Sequence, residues 1–307
     1  MPARLNKKST LAQLGEFGFI EWIKKNTTVS GSVIKGIGDD AAVIALTEKK
    51  RILLTTDMLL EDVHFTLKMP IGKIGYKAIA VNISDIAAMG GVPKYILVSL
   101  GVPARTRARW IFDLYQAMHQ TALKFGTCLV GGDTIRSDKT IINIAMMGES
   151  QKDKIIFRSG ARPQDKIFVT GKLGNSFKSG RHLSFTPRVK ESQYLVKYFK
   201  PTAMIDVSDG LLGDLGHILQ ESHVSAILNE NKIPRQPSAT LENALYDGED
   251  FELLFTLSAL DSQRLRKIKT PFSFYPIGEI IKGTGQIFLR NEKGVLRNYC
   301  PKSYTHF

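Results

Sequence analysis

Hydrophobic and polar positions follow two rhythms along the chain. In the first half, four short runs rich in branched aliphatic residues read as buried or half-buried strands: AAVIAL (41–46), RILLTTD (51–57), KYILVSLGV (94–102) and TIINIAMMGE (140–149). Between them, IGKIGYKAIAVNISDIAAMGG places Ile79, Ile83 and Ile86 at helical spacing and stops at Gly90-Gly91 before Pro93. A second helix is predicted for RARWIFDLYQAMHQTALKFG, where Trp110, Leu114, Ala117, Met118 and Leu123 keep an amphipathic spacing up to Gly126. Strands interleaved with helices predict an α/β domain.

A basic, turn-rich stretch, QKDKIIFRSGARPQDK, follows with Gly160 and Pro163, and reads as a linker. Beyond it KIFVTG predicts a strand, and a polar region runs to Pro187 before the apolar YLVKYFK and AMIDV. SDGLLGDLGHILQES predicts a helix opened by Ser208 and Asp209, with Leu212, Leu215, Ile218 and Leu219 on one side. ELLFTL (252–257), PFSFYPIGEI and GQIFLRN predict further strands. The second half is therefore another mixed domain, with a boundary near residues 150 to 160.

Composition adds bounds. The 307 residues are 43% hydrophobic and 23% charged, ordinary values for a globular protein. The first residues lack an apolar run of signal-peptide length and no later run is long enough for a bilayer span, so a cytoplasmic location is expected and a membrane partner is not. Cys128 and Cys300 fit no metal-ligand or disulfide spacing. A formal charge of +13 admits nucleic acid or small polyanions as partners. Lys and Arg are scattered rather than blocked or interleaved with aromatics, which favours small anions over nucleic acid.

Against that positive background the acids gather. In "GIGDDAAVI" (36–44), "LLTTDMLLEDVHF" (53–65), "VNISDIAAMGG" (81–91), "CLVGGDT" (128–134) and "MIDVSDGL" (204–211), an Asp stands beside Gly, Ser or Thr at the edge of an apolar segment. Hard oxygen ligands beside backbone that bends closely around an anion suit Mg²⁺ held with substrate phosphates. A single such Asp is most often a helix cap or turn residue; Asp85 stands out because it lies inside a helical segment. "GIGDDA" has the form of a dinucleotide fingerprint, but no strand of length precedes it and no helix clearly follows; "GKLGNS" (171–176) lacks Walker A spacing.

The motifs "GIGDDAAVI", "TTDMLLEDVHF", "GYKAIAVNISDIAAMGGVP", "GGDT", "RSGARPQD", "IDVSDGLLGDL" and "GEDFELLF", in this order, resemble the thiamine-monophosphate kinase family. That family belongs to the ATP-binding superfamily of aminoimidazole-ribonucleotide synthetase and selenophosphate synthetase. The resemblance runs from "GEF" (15–17) to "SYTHF" at the C-terminus. It implies α/β plus α+β architecture: an N-terminal ATP- and Mg-binding α/β domain (1–153) that dimerises through its sheet, and a C-terminal α+β domain (154–307). The implied activity is transfer of the γ-phosphoryl group of ATP to thiamine monophosphate, assisted by several Mg²⁺ ions. No general base is required, because a phosphate monoester with a second pKa near ~6 is already an oxyanion at neutral pH.

By position, the resemblance implies Asp40, Thr55, Thr56, Asp57, Asp85, Asp133, Asp206 and Asp209 as Mg²⁺ ligands, with Asp39 behind them. It implies Gly132, Asp133, Arg158, Ser208 and Tyr115 for the nucleotide, and His64, Glu249 and Tyr304 for thiamine monophosphate. Asp247 replaces the first glycine of the usual Gly-Gly-Glu-Asp, which puts the placement of Glu249 in question. Competing readings are selenophosphate synthetase, which needs a reactive Cys in an N-terminal glycine-rich segment, aminoimidazole-ribonucleotide synthetase, and a basic nucleic-acid-binding protein.

Overall fold

The structure is a computed structural model describing residues 10–299. Thirteen strands are present among these residues: β1 (Val33–Lys35), β2 (Ala42–Ala45), β3 (Lys50–Leu60), β4 (Val92–Val102), β5 (Cys128–Arg136), β6 (Ile141–Gln151), β7 (Lys166–Val169), β8 (Ala203–Asp206), β9 (Ser225–Asn229), β10 (Leu253–Leu257), β11 (Tyr275–Ile281), β12 (Ile287–Arg290) and β13 (Leu296–Tyr299). The helices are α1 (Leu11–Leu14), α2 (Glu16–Asn26), α3 (Ile71–Ala88), α4 (Ala108–Lys124), α5 (Ser176–Ser179), α6 (Val189–Tyr198), α7 (Leu211–Ser222), α8 (Leu241–Tyr246) and α9 (Ala259–Lys267).

The strands form two sheets that do not exchange members. One has the order β1-β2-β3-β6-β4-β5 and the other β13-β12-β9-β11-β7-β10-β8. In the first, only β4 and β5 run parallel; in the second, only β9 and β12 do. β3 alternates its side chains cleanly: Leu53, Thr55, Asp57 and Leu59 point toward α3, while Leu54 and Met58 stand exposed on the outer face with Thr56 between them.

α3 is buried on nearly every side, as a helix that is apolar all round must be. Ile74, Ile79, Ile83 and Ile86 enter the core of the first sheet with Val98 and Ile144. Ala88 belongs instead to a core with Phe168 and Phe255 of the second sheet. Ala80 and Val81 meet Phe185 and Phe251. Each fully buried isoleucine contributes about 1.5–3 kcal/mol relative to an exposed one. The helix ends as its sequence predicts: Gly90 adopts φ +72°, and its N–H and that of Gly91 return to Ala87 and Ile86 carbonyls.

Differences from the sequence reading are local. β5 is not among the strands that the sequence pattern predicts, since Gly131-Gly132 has low strand propensity; its parallel pairing with β4 holds it extended. A Cβ at Gly132 would lie 1.8 Å from the Val98 carbonyl oxygen, so glycine admits the close approach. β1, β9, β13, α1, α2, α5, α8 and α9 carry no clear signal in the sequence, and of YLVKYFK residues 194–198 lie in α6, which ends at Tyr198. α7 opens at Gly210 (φ +105°) rather than at Ser208 or Asp209, which sit in the preceding turn.

Candidate active site

The acids converge where the two sheets meet. Asp40 lies in the loop before β2, Asp57 on the inner face of β3, Asp85 on α3, and Asp206 at the end of β8. Asp40, Asp85 and Asp206 each present a carboxylate oxygen within 4.8 Å of the others. Thr55 Oγ1 donates to Asp85 Oδ2 at 2.5 Å, and Ser84 Oγ donates to Asp206 Oδ2 at 2.5 Å, so neighbouring hydroxyls orient two of the carboxylates. Burial, with repulsion from Asp209 and Asp40, pushes Asp57 up to about 6 despite its bond to Asp85. Burial and the Asp40 charge push Asp206 up to about 8. Asp85 is held well above the ordinary carboxylate range by burial and by Asp57 and Asp206. Bringing like charges together in this way is costly without a compensating cation.

The residues fit a hard divalent ion. Asp40 Oδ2 is buried and has no hydrogen-bond partner among the described residues, which leaves an unused acceptor on a residue of the cluster. Every donor atom gathered there is an oxygen, which suits Mg²⁺ and not a thiolate or imidazole metal.

Arg158 and Asp39 frame the cluster. Arg158 Nη2 reaches Asp40 Oδ1 at 2.6 Å, and its backbone N–H donates to Asp39 Oδ1 at 3.1 Å. Burial alone would make this guanidinium less basic, but Asp40 and Asp39 outweigh it. Its Nε is buried and unpartnered among the described residues. Asp39 is pushed up to about 7 by burial and by Asp40, and its bonds to Arg158 and Asp40 backbone make it a brace for the loop. Asp214, in the first turn of α7, accepts the Asp209 N–H at 3.1 Å and so holds the turn that carries Asp206 and Asp209.

Beyond the acids lies a second constellation that sequence reasoning found only in part. His64 follows β3, and its Nδ1 accepts the Leu60 N–H at 3.0 Å. Glu249 occupies a left-handed turn at φ +52°, after Gly248 at φ +69°, and its N–H donates to the Ser208 carbonyl at 2.7 Å. Both contact Lys77, a lysine of α3 with 1% exposure: its Nζ reaches Glu249 Oε1 at 2.6 Å and the His64 carbonyl at 3.1 Å. His182, equally buried, places Nδ1 at 3.1 Å from Lys77 Nζ and 3.0 Å from Glu249 Oε2. Lys77, Val81 and Asp85 recur every fourth residue, which sets the lysine on the stripe of the helix that also carries Asp85.

Not every expected residue comes to this place. Thr56 points to the outer face, where its hydroxyl donates to the Ile144 carbonyl at 3.0 Å. Asp133 lies on β5, the exposed edge strand, in line with Ser99, Asn143 and Met58 on that same outer face; its Oδ1 accepts the Thr134 N–H at 2.8 Å. Gly132 and Tyr115 accompany this edge, with Tyr115 on α4 bonded to Thr134. Ser208 and Asp209 lie in the turn beneath Glu249, and Asp209 is close enough to Asp57 to raise it. Tyr304 lies outside the described residues. Asp247 is well suited to its position: it has ordinary right-handed backbone (φ −66°) and its Oδ2 accepts the Asn175 N–H at 2.9 Å.

Two mixed sheets with an all-oxygen acid cluster between them define a class, and residues 38–150 match the family described as AIR synthase related protein, N-terminal domain. The hydrogenase maturation protein HypE in complex with ATP shares the fold at TM-score 0.71 and 21% identity, over 87% of this chain and 89% of that one.

More narrowly, the chain belongs to the thiamine-monophosphate kinase family. It is 38% identical over 274 residues to the thiamine-monophosphate kinase of Bacillus subtilis, covering 80% of this chain and 84% of that relative. To the one of Aquifex aeolicus it is 34% identical over 329 aligned positions, covering 97% and 99%. A solved structure of AaThiL complexed with AMPPCP and TMP superposes with TM-score 0.84 at 32% identity, over 98% of this chain and 100% of that one.

Proposed function

We propose that this chain is an ATP-dependent kinase that phosphorylates thiamine monophosphate to thiamine diphosphate by in-line transfer of the γ-phosphoryl group. The observation that carries the reading is the meeting of Asp40, Asp85 and Asp206 within 4.8 Å, in a family with a solved member that holds AMPPCP and TMP. Mg²⁺ at this place would relieve repulsion between the two phosphates and align them, with Asp40, Asp57, Asp85 and Asp206 as its carboxylates and Thr55 and Asp209 beside them.

The protein's own groups do the rest. Arg158 offers an always-charged fork for phosphate oxygens, held in orientation by Asp40. The acceptor phosphate carries its own oxyanion, so His64 and Glu249 serve to bind the acceptor and not to remove a proton. A division near residue 153 agrees with the first sheet ending at Gln151 and the second beginning at Lys166. A homodimer is supported by the apolar outer face of the first sheet, where Leu54, Met58, Tyr95, Leu97, Val130 and Ile135 are all exposed. On that reading Thr56 and Asp133 face the partner copy. No described helix is long and apolar enough to cross a membrane.

The deciding experiment mixes purified protein with Mg²⁺, ATP and thiamine monophosphate and follows the phosphorus resonances. Growth of a thiamine diphosphate signal matched by ADP is the expected outcome; ATP hydrolysis with thiamine monophosphate unchanged would refute the reading.

A further inference from the structure

We propose that Lys77 is a positioning residue for the acceptor subsite: it ties the Glu249 turn and the His64 loop to the helix that carries Asp85, and so sets affinity for a cationic acceptor. The inference rests on the kinase reading above. Lys77 Nζ meets three separate segments: it donates to the His64 carbonyl and to Glu249 Oε1, and it lies 3.1 Å from His182 Nδ1, which is also 3.0 Å from Glu249 Oε2. The helix around it is mostly apolar, the Asp57 charge reaches it only from a distance, and burying an amine is unfavourable unless it is paired directly. The lysine is therefore placed for what it holds.

What it holds is strained. Glu249 and Phe251 both have left-handed backbone, at φ +52° and +50°, and such residues persist only where their surroundings fix them. Backbone bonds from Glu249 to Ser208 and from Phe251 to Val207 anchor the turn to the segment of Asp206 and Asp209. Lys77 anchors its side chain to α3. The amine is sealed at 1% exposure, and it fixes the Glu249 carboxylate behind the 22% of that side chain that stays exposed: Oε1 is held by Lys77 and Oε2 is buried. Thiamine monophosphate carries a thiazolium cation and an aminopyrimidine amine, both suited to a carboxylate. Lys77 and Asp85 are eight residues apart on one helix, about 12 Å along its axis. That separation fits a two-ring phosphate monoester lying with its heterocycles at Glu249 and its phosphate toward Asp57 and Asp85. His182, stacked on Phe177 at 4.4 Å, closes the far side of the Lys77–Glu249 pair.

Steady-state kinetics on Lys77→Met and Lys77→Arg test this in the full chain with Mg²⁺. For Lys77→Met the KM for thiamine monophosphate should rise about tenfold or more, with the KM for ATP unchanged within about twofold and kcat reduced much less than kcat/KM. Lys77→Arg, which keeps the charge, should recover part of the loss. If Lys77→Met does not fold, Lys77→Gln, which keeps hydrogen-bond donors without the charge, carries the same expectation. An unchanged KM for thiamine monophosphate, or equal losses for both substrates, would overturn the inference while leaving the kinase reading intact. A wild-type protein that makes no thiamine diphosphate would instead remove the reading itself.

Discussion

Asp57 shares its burial with Asp85, Asp40 and Asp209, and neutralising it has two separable consequences. Asp57→Asn keeps the side-chain volume, so turnover should fall by about 10²-fold or more through lost electrostatic stabilisation while the fold persists. The same change relieves like-charge repulsion, so the metal-free variant should melt no lower than the metal-free wild type in calorimetry. A parallel fall in melting temperature would place Asp57 in a purely structural role. Asp40, Asp57, Asp85 and Asp206 could be read from the sequence because each acid borders an apolar segment where an unpaired charge is unfavourable. Lys77 and His182 could not, because a single lysine in a helix ordinarily snorkels to solvent and a histidine in a polar stretch has no marked partner. Their roles appear only once the Glu249 turn, far away in the chain, is brought against α3.

Strand and helix boundaries were legible where periodicity was strong: α3, α4, β3, β4 and β6 fall close to their predicted spans. β5 was not, because Gly131 and Gly132 carry no side-chain pattern and the strand is specified by its neighbour. The end of α3 shows how tightly one position can be set. Gly90→Ala would force a left-handed alanine and place its Cβ 2.4 Å from the Lys154 carbonyl oxygen. A loss of about 2 kcal/mol or more is expected in urea unfolding, beyond the ~1–2 kcal/mol of left-handed backbone alone. The outer face of the first sheet makes a separate demand. Leu97 and Met58 stand exposed in an apolar field, so Leu97→Lys or Met58→Lys should halve the sedimenting mass if two copies pair through it. Unaltered mass of a dimeric protein in both variants would move the interface elsewhere.

Over the whole molecule the acid cluster couples stability to pH and to cations. Asp57, Asp39 and Asp206 have folded values near 6, 7 and 8, all above the unfolded carboxylate range. The folded state therefore holds protons that the unfolded chain has released, and the slope of stability with pH is negative. Without metal, the contribution of these groups is fully present below about pH 4 and is lost as pH rises to about 8. Mg²⁺ favours the ionised carboxylates, so the gain in melting temperature on adding it should be larger at pH 8 than at pH 5.5. Equal gains at both values would argue against binding at this cluster. Strands in both halves of the chain were visible in the alternation of predicted elements, but that they build two separate sheets with α3 packed against both was not, since α3 reads simply as an apolar helix. At Ala80 and Val81 that helix packs against Phe185 and Phe251, supplied by the second half. During synthesis, then, a nascent chain that has completed its first sheet still shows a sticky flank until Phe251 leaves the ribosome, and an N-terminal fragment cut at the interdomain segment should aggregate.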